Sequence, residues 1–116
     1  MVSDLNSILV EGWVFPDAEG NLWHDHPCPD GSVDVLFNLH QVHLYTDSKG
    51  AAQSAESVFV VSLRGQPGLV TKFCGGVSVN QKVRVVGFLW GNLFDQVGSK
   101  ATIVAEHLEF GPKPKG

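Results

Sequence analysis

Short runs of β-branched and aromatic residues, separated by clusters of glycine, proline and aspartate, are the feature that most limits the fold of this chain. Thirteen glycines and six prolines are spread through the 116 residues, and apolar patterns with a helical period are almost absent. Such runs are typical of strands joined by tight turns. The length suits one domain, and 43% hydrophobic residues are enough for a core. We therefore expect one small all-β domain.

The runs divide into five predicted strands, with a short helical segment at 69–73 between the third and the fourth. Residues 17–31 and 51–56 are predicted to be loops, and Cys74-Gly75-Gly76 is predicted to end the helical segment, because glycine tolerates a left-handed stop. This order predicts an OB-fold, a five-stranded Greek-key β-barrel, over residues 1–110, with a Pro/Lys tail at 111–116. The pattern alone leaves an SH3-like barrel open. The predicted strands are 7–15, 33–45, 57–64, 82–94 and 100–110.

Several segments, taken in order, resemble bacterial single-stranded-DNA-binding proteins. LNSILVEG at 5–12 resembles their opening strand, 31–50 their second strand and its turn, and SVFVVSL at 57–63 their third. The best match is VRVVGFL at 83–89, followed by the turn at 95–98 and by IVAEHLEF at 103–110. The resemblance covers nearly the whole chain. It implies an OB-fold, sequence-tolerant binding of single-stranded DNA in replication, recombination and repair, and a homo-oligomer, with a tetramer favoured and a dimer possible.

The fourth predicted strand carries most of the implied binding face. Alternate residues of a strand share one face, so Arg84, Phe88, Trp90 and Phe94 form one set, which we expect to face outward. Leu89 belongs to the other set and is expected in the core. The family often carries basic residues at positions like Trp90, so the resemblance implies that this chain keeps aromatic rings where its relatives have cations.

Single strands are bound by flat groups that stack on bases and by cations that contact phosphates. With eight Lys and Arg and a formal net charge of −4, we expect weak binding with a shallow salt dependence. The resemblance places Tyr45 at an aromatic position, His43 at a frequently basic one and Arg64 where the family tends to have an aromatic. The candidate DNA-binding residues are Tyr45, Phe59, Phe88, Trp90 and Phe94 for stacking, and His43, Lys49, Arg64, Lys72, Lys82 and Arg84 for phosphate.

The same aromatic residues fit a second function class. Aromatic side chains are enriched at subunit interfaces as well as at stacking sites, so the sequence leaves Trp90 open between the two. The alternative function is an OB-fold protein-interaction or oligomerisation module that has weakened or lost DNA binding. Phe37 and Phe73 are predicted to be core residues.

The segment His24-Asp25-His26-Pro27-Cys28 contains residue types that bind zinc, but its spacing is not one of the common structural-zinc spacings. We expect no metal there, and we expect Cys28 and Cys74 to be free thiols. No nucleophile–base–orienter set and no phosphate-binding glycine loop is present in the sequence. We therefore predict that the protein is not an enzyme and has no cofactor.

We expect the remaining polar residues of the strands to have ordinary structural roles. Asp34 and Glu106 are expected on the solvated face of their strands, and His107 is expected to make a local hydrogen bond. The acidic N-terminal segment lacks the features of a signal peptide, and no apolar run is long enough to span a membrane. We expect a cytoplasmic, nucleoid-associated protein with no membrane partner. The glycine-rich linker and acidic tip with which the family recruits partner proteins have no counterpart before Gly116, so either the chain is truncated or this relative does not recruit partners in that way.

Overall fold

A computed structural model describes residues 6–91 and 101–112 of the chain. Within these ranges the structure is mostly β, with six strands in one sheet and a single helix. The elements are β1 (Ile8–Val14), β2 (His24–Pro27), β3 (Val33–Thr46), β4 (Ala52–Ser62), α1 (Pro67–Gly76), β5 (Gln81–Trp90) and β6 (Thr102–Phe110). The strand order is β1-β5-β6-β4-β3-β2, and an additional pairing of β1 with β3 turns the sheet into a ring.

Strand β1 closes the ring because it pairs on both of its sides. It is antiparallel to β5 along its whole length, and Trp13 and Val14 also face His40 and Leu39 of β3. A Cβ atom on Gly12 would lie 2.5 Å from the carbonyl oxygen of His40. Glycine at this position is therefore what allows β1 to approach β3 closely enough to close the barrel.

The opposite side of the ring is joined by β4 and β6. These strands are parallel and meet through two residue pairs, Val61 with Ile103 and Ser62 with Val104. Five strands thus form a ring consistent with the predicted OB-fold, and β2 lies outside it, along the first residues of β3.

The core fills the interior of the ring and is covered by α1. Phe37 and Phe73 are buried in it, as predicted, and their rings stack with centroids 4.1 Å apart. Phe73 joins the helix to the barrel, because it also packs near Trp23 and Phe110. The other buried members of the core cluster are Val14, Val35, Leu39, Val61, Leu63, Val83, Val85, Ile103, Ala105 and Leu108.

The prediction of a loop over 17–31 was wrong for its middle part. His24–Pro27 forms β2 and pairs with residues 33–36, so the described chain has six strands where five were predicted. The strand escapes a pattern search because it lies at the sheet edge and its side chains are mostly exposed. An edge position also tolerates Pro27. Gly31, with φ of +88°, lies in the turn that leads from β2 to β3.

The prediction of a loop over 51–56 was also wrong. Strand β4 begins at Ala52, which pairs with Thr46 of β3, so the two strands form a long hairpin. Most side chains of this outer part are exposed on both faces of the hairpin. The apolar alternation by which a half-buried strand is recognised is therefore missing there.

Helix α1 is longer than the predicted segment and ends at Gly76, within the predicted stop, but without the predicted left-handed conformation. Gly75 and Gly76 lie within it, neither has a positive φ, and the chain leaves the helix at Val77 in an extended conformation. Gly76 has a packing role instead. A Cβ atom there would lie 2.9 Å from the ring of Phe110, so glycine lets β6 pack against the helix end.

Of the predictions for the isolated polar residues, the one for Asp34 was wrong and those for Glu106 and His107 were confirmed. Asp34 is only 3% exposed, and the hydroxyl of Ser62 donates a hydrogen bond to its Oδ2 atom at 2.6 Å. The prediction that Asp34 is solvated was wrong. The carboxylate is buried against Ser62, which lies 28 positions away in the sequence and leaves no signal near Asp34. Glu106 is exposed, and His107 contacts Glu109 at 3.2 Å, as predicted.

Both cysteines are free thiols, as predicted. Gly111 and Pro112, which the sequence assigns to a tail, still contact β5: the Gly111 amide donates to the carbonyl of Lys82 at 2.7 Å, and Gln81 donates to the carbonyl of Gly111 at 2.8 Å. In the part of the chain that the structure describes, no helix is long and apolar enough to cross a membrane.

Candidate nucleic-acid interface

The outer face of β5 carries the candidate interface and has two ends. Lys82 and Arg84 lie at the beginning of the strand and Phe88 and Trp90 at its end, all on the side opposite the buried Val83 and Val85 set. An irregularity in the pairing with β6 falls between these ends, at Val86/Gly87. A Cβ atom on Gly87 would lie 2.0 Å from the carbonyl oxygen of Val104, so this close approach requires glycine.

The later end of β5 forms what we call the Arg64 cluster, made of Arg64, Phe88 and Trp90. The Phe88 and Trp90 rings stack with centroids 6.4 Å apart and an angle of 29°. The guanidinium carbon of Arg64 lies 5.7 Å from the centre of the Trp90 ring. Phe88 is half-buried and Trp90 is 41% exposed. The cluster therefore offers a flat, accessible ring beside a cation.

Arg64 is positioned by the end of β4. Its backbone amide donates to the Oγ atom of Ser62 at 3.1 Å, and the same hydroxyl donates to Asp34. Gly65, with φ of +74°, then turns the chain toward α1. Because these bonds fix the backbone at Arg64, its side chain extends toward Trp90 from a fixed position.

The beginning of β5 forms what we call the Glu11 cluster, made of Glu11, Trp13, Lys82 and Arg84. The Glu11 carboxylate contacts the Lys82 ammonium at 2.9 Å and the Arg84 guanidinium at 3.0 Å. The ammonium of Lys82 also lies 5.4 Å from the centre of the Trp13 ring. Both cations predicted to contact phosphate are thus already paired with a carboxylate of the neighbouring strand.

The charges of the Glu11 cluster influence its titration. The hydrogen bond from Lys82, and then that from Arg84, lower the pKa of Glu11 below its ordinary value. The carboxylate is therefore ionised at neutral pH and remains so under mildly acidic conditions. A phosphate that approaches Lys82 or Arg84 has to compete with it.

The β3–β4 hairpin places His43, Tyr45 and Lys49 together at its outer part. His43 and Tyr45 alternate on one face of β3, and both are exposed. Lys49 lies in the turn, which Asp47 holds by accepting hydrogen bonds from the backbone amides of Lys49 and Ala51 at 2.9 Å each. These bonds, the one from Ala51 first, lower the pKa of Asp47. The hairpin thus presents a ring, an imidazole and an ammonium away from the core.

Three other candidate residues do not join these groups. Phe59 faces Leu39 and packs against the core, which favours a packing role over stacking. Lys72 lies on α1 and donates to the carbonyl of Leu108 on β6. Phe94 lies outside the described residues. Leu89 was predicted in the core, and that prediction was wrong: it is 43% exposed, because β5 extends beyond the buried part of the barrel at this end.

The His24–Cys28 segment does not assemble a metal site. Among residues 6–91 and 101–112, no three His, Cys, Asp or Glu side chains come together as ligands. Cys28 donates weakly to the carbonyl of His26 at 3.7 Å. Burial, and then the nearby charge of Asp25, raise the pKa of the Cys74 thiol, which disfavours the thiolate that zinc needs.

Sequence reasoning missed Glu11, Trp13 and the Asp34–Ser62 pair. The alternation of β1 places Glu11 and Trp13 on one face, and this signal is visible in the sequence. Their partners, however, follow only from the β1–β5 register, which sets Glu11 opposite Arg84 and Trp13 opposite Lys82. For Asp34 the sequence contains no local signal.

The structure is similar to solved structures of single-stranded-DNA-binding proteins. It matches an SSB from Plasmodium falciparum, solved in complex with single-stranded DNA, with a TM-score of 0.73 and 18% identity, over 97% of this chain and 99% of that one. It matches a small single-stranded-DNA-binding protein from Streptomyces coelicolor with a TM-score of 0.63 and 23% identity, over 94% and 96%.

PriB from Ralstonia solanacearum matches with a TM-score of 0.58 and 15% identity, over 93% of this chain and all of that one. No family model and no curated protein matches the sequence. The chain therefore has the fold of these proteins, the OB-fold that its sequence resemblance implied, in a diverged form.

Proposed function

We propose that this protein binds single-stranded DNA with little sequence preference. The observation that carries the proposal is the Arg64 cluster, in which an exposed Trp90 ring lies beside a guanidinium on the outer face of the barrel. A base stacked on Trp90 leaves its phosphate within reach of a cation, and such stacking contributes about 1–3 kcal/mol per base. The shared fold with single-stranded-DNA-binding proteins supports the proposal.

The rest of the bound strand follows the exposed hairpin in this proposal. Tyr45 is half-exposed and gives a second stacking surface, and Lys49 and His43 lie near it. The Glu11 cluster contributes less, because its cations are already paired. Lys72 adds positive charge on α1. The activity is binding without catalysis, in replication, recombination and repair, in the cytoplasm and at the nucleoid.

We further propose that the protein acts as a homo-oligomer, with a tetramer favoured over a dimer. Trp13 of β1, His40 of β3 and Val58 of β4 lie directly opposite one another across three strands, and Trp13 and Val58 are exposed in the single chain. Val42 and Leu9 extend the same outer surface. Exposed apolar surface of this kind marks an interaction site. The molar mass of the wild type and of Val58→Glu, measured by light scattering, tests this proposal, because the charge should dissociate the oligomer.

Titration of a fluorescent poly-dT oligonucleotide at two salt concentrations tests DNA binding. Trp90→Ala is expected to weaken binding by about 1–3 kcal/mol, because it removes the stacking ring. Leu89→Ala is the matched control, since Leu89 is equally exposed on the opposite face of the same strand. An absence of binding by the wild type at low salt would rule out the proposal, and equal losses in the two variants would rule out the role of Trp90.

A second function, an OB-fold interaction module without DNA binding, is favoured by one observation. Lys82 and Arg84 share the Glu11 carboxylate next to an exposed Trp13, an arrangement that suits a protein partner better than phosphate. This function predicts an oligomer of defined mass that leaves poly-dT unbound at low salt. Since both functions include an oligomer, the poly-dT titration is the measurement that separates them.

A further inference from the structure

A cavity of about 620 Å³ opens beside Arg64. It lies between the first residues of β3, the turn after β4 and the first turns of α1. Val35, Leu63 and Val70 form an apolar part of its lining, and Arg64 and Asp34 also line it. A volume of this size accommodates one nucleobase with its sugar. The cavity is continuous with the Arg64 cluster because Arg64 belongs to both.

Asp34 is the unusual member of the lining. Its Oδ2 atom accepts the hydrogen bond from Ser62, whereas its Oδ1 atom is buried and has no hydrogen-bond partner among residues 6–91 and 101–112. A buried carboxylate oxygen without a partner is costly, since it has lost its hydration without replacing it. A ligand that uncovers this oxygen and brings N–H donors to it would therefore replace the hydrogen bonds that it has lost.

The charges of the cavity select which part of a nucleotide enters. Asp30 is a second carboxylate in the lining, and the Ser32 hydroxyl and amide hold it in place at 2.6 and 3.0 Å. Two carboxylates repel a phosphate. A strand that stacks on Trp90 would accordingly keep its phosphates on the Arg64 side and direct a base inward.

We propose that this cavity is a pocket for one base with an amino group on its Watson–Crick edge, and for guanine above all. Guanine presents two parallel N–H donors, from N1 and N2, which match a carboxylate, whereas thymine presents one donor between two carbonyl oxygens that a carboxylate repels. Binding requires a rotamer change in the wall, because Oδ1 is covered in the structure. The inference rests on the proposed DNA binding and adds one preferred position within a sequence-tolerant contact.

The test compares oligo-dT strands that carry a single central substitution. Competition titrations use strands with one deoxyguanosine, one deoxyinosine, which lacks only the N2 amino group, or no substitution. The guanosine strand is expected to bind at least about fivefold more tightly than the thymidine strand, the lower limit for a well-paired base contact. The inosine strand is expected to fall between them.

Two variants separate this pocket from general DNA binding. Asp34→Asn is expected to abolish the guanosine preference, measured within each variant as the ratio of the affinities for the guanosine strand and for oligo-dT, and Asp25→Asn, the same charge change at an exposed residue of β2, is expected to preserve it. Val33→Phe enlarges a side chain of the cavity lining at a largely exposed position and should remove the preference even if Asp34→Asn does not fold. Equal affinity for all three strands overturns the pocket and leaves the proposed function intact, whereas an absence of oligo-dT binding overturns both.

Discussion

The cations that lie beside the two ends of β5 are in opposite states. In the Arg64 cluster the guanidinium lies over an aromatic ring, and in the Glu11 cluster two cations share one carboxylate. A ring leaves a cation its full charge, whereas a carboxylate cancels much of it. For the proposed DNA binding, counting Lys and Arg therefore overstates how many phosphates this surface can hold, and the difference between the two ends predicts where a strand would bind.

The largest expected effect is on stability, at Gly87, which lies between the two ends of β5. Gly87→Ala is expected to destabilise the protein by about 3 kcal/mol, because the added Cβ atom meets the backbone of Val104. Urea denaturation measures the loss. Gly91→Ala, at the residue that directly follows this strand, is the control, since no atom of the described residues lies within 4 Å of its added carbon, and it should change stability by less than about 0.5 kcal/mol. Equal stabilities of the two variants would contradict the close approach.

The contrast between the clusters is tested directly by removing one arginine from each. Arg64→Ala is expected to weaken oligo-dT binding by about 2 kcal/mol, the contribution of a charged hydrogen bond to phosphate. Arg84→Ala is expected to have a much smaller effect, because its charge is already paired with Glu11. Fluorescence anisotropy of a labelled oligonucleotide measures both affinities, and similar losses would remove the distinction.

The Glu11 cluster can be converted into a phosphate site in this scheme. Glu11→Gln is expected to free Lys82 and Arg84, to tighten DNA binding and to steepen the dependence of log K on log salt by up to about 1.4, which corresponds to two additional phosphates on a single strand. Titrations at several salt concentrations give the slope. An unchanged slope would show that the two cations lie off the path of the strand.

The smallest expected effect concerns pH. Because the pKa of Glu11 is lower in the folded state than in the unfolded state, its ion pairs stabilise the fold above its ordinary pKa. This contribution is lost as the pH falls through the lowered value. The stability difference between the wild type and Glu11→Gln should therefore be present at pH 7 and disappear in acid, as followed by urea denaturation. A difference that persists in acid would have another origin.

The sequence predicted those parts that are encoded locally. Alternation on the fourth predicted strand correctly put Phe88 and Trp90 on one outward face. Features that depend on register were not predictable. The sharing of Glu11 by Lys82 and Arg84 joins residues more than 70 positions apart, and the burial of Asp34 depends on Ser62 in another strand.

Strands without an apolar face were missed for a related reason. β2 and the outer part of β4 are exposed, so their formation depends on backbone pairing, which leaves no hydrophobic period in the sequence. The helix ends within the predicted stop, but the predicted left-handed conformation was wrong, because Gly76 is required for contact with Phe110 and not for a left-handed turn. Packing and turn formation select the same residue, and sequence alone does not separate them.

The position of β1 between β5 and β3 has a consequence for aggregation. A strand that covers two neighbours hides two rows of backbone donors and acceptors at once. If β1 detached, both β5 and β3 would present open edges to other chains, and open edges are templates for intermolecular pairing. Detachment of the seven residues of β1 would thus expose two unpaired strand edges, and other chains could pair with the molecule on both sides.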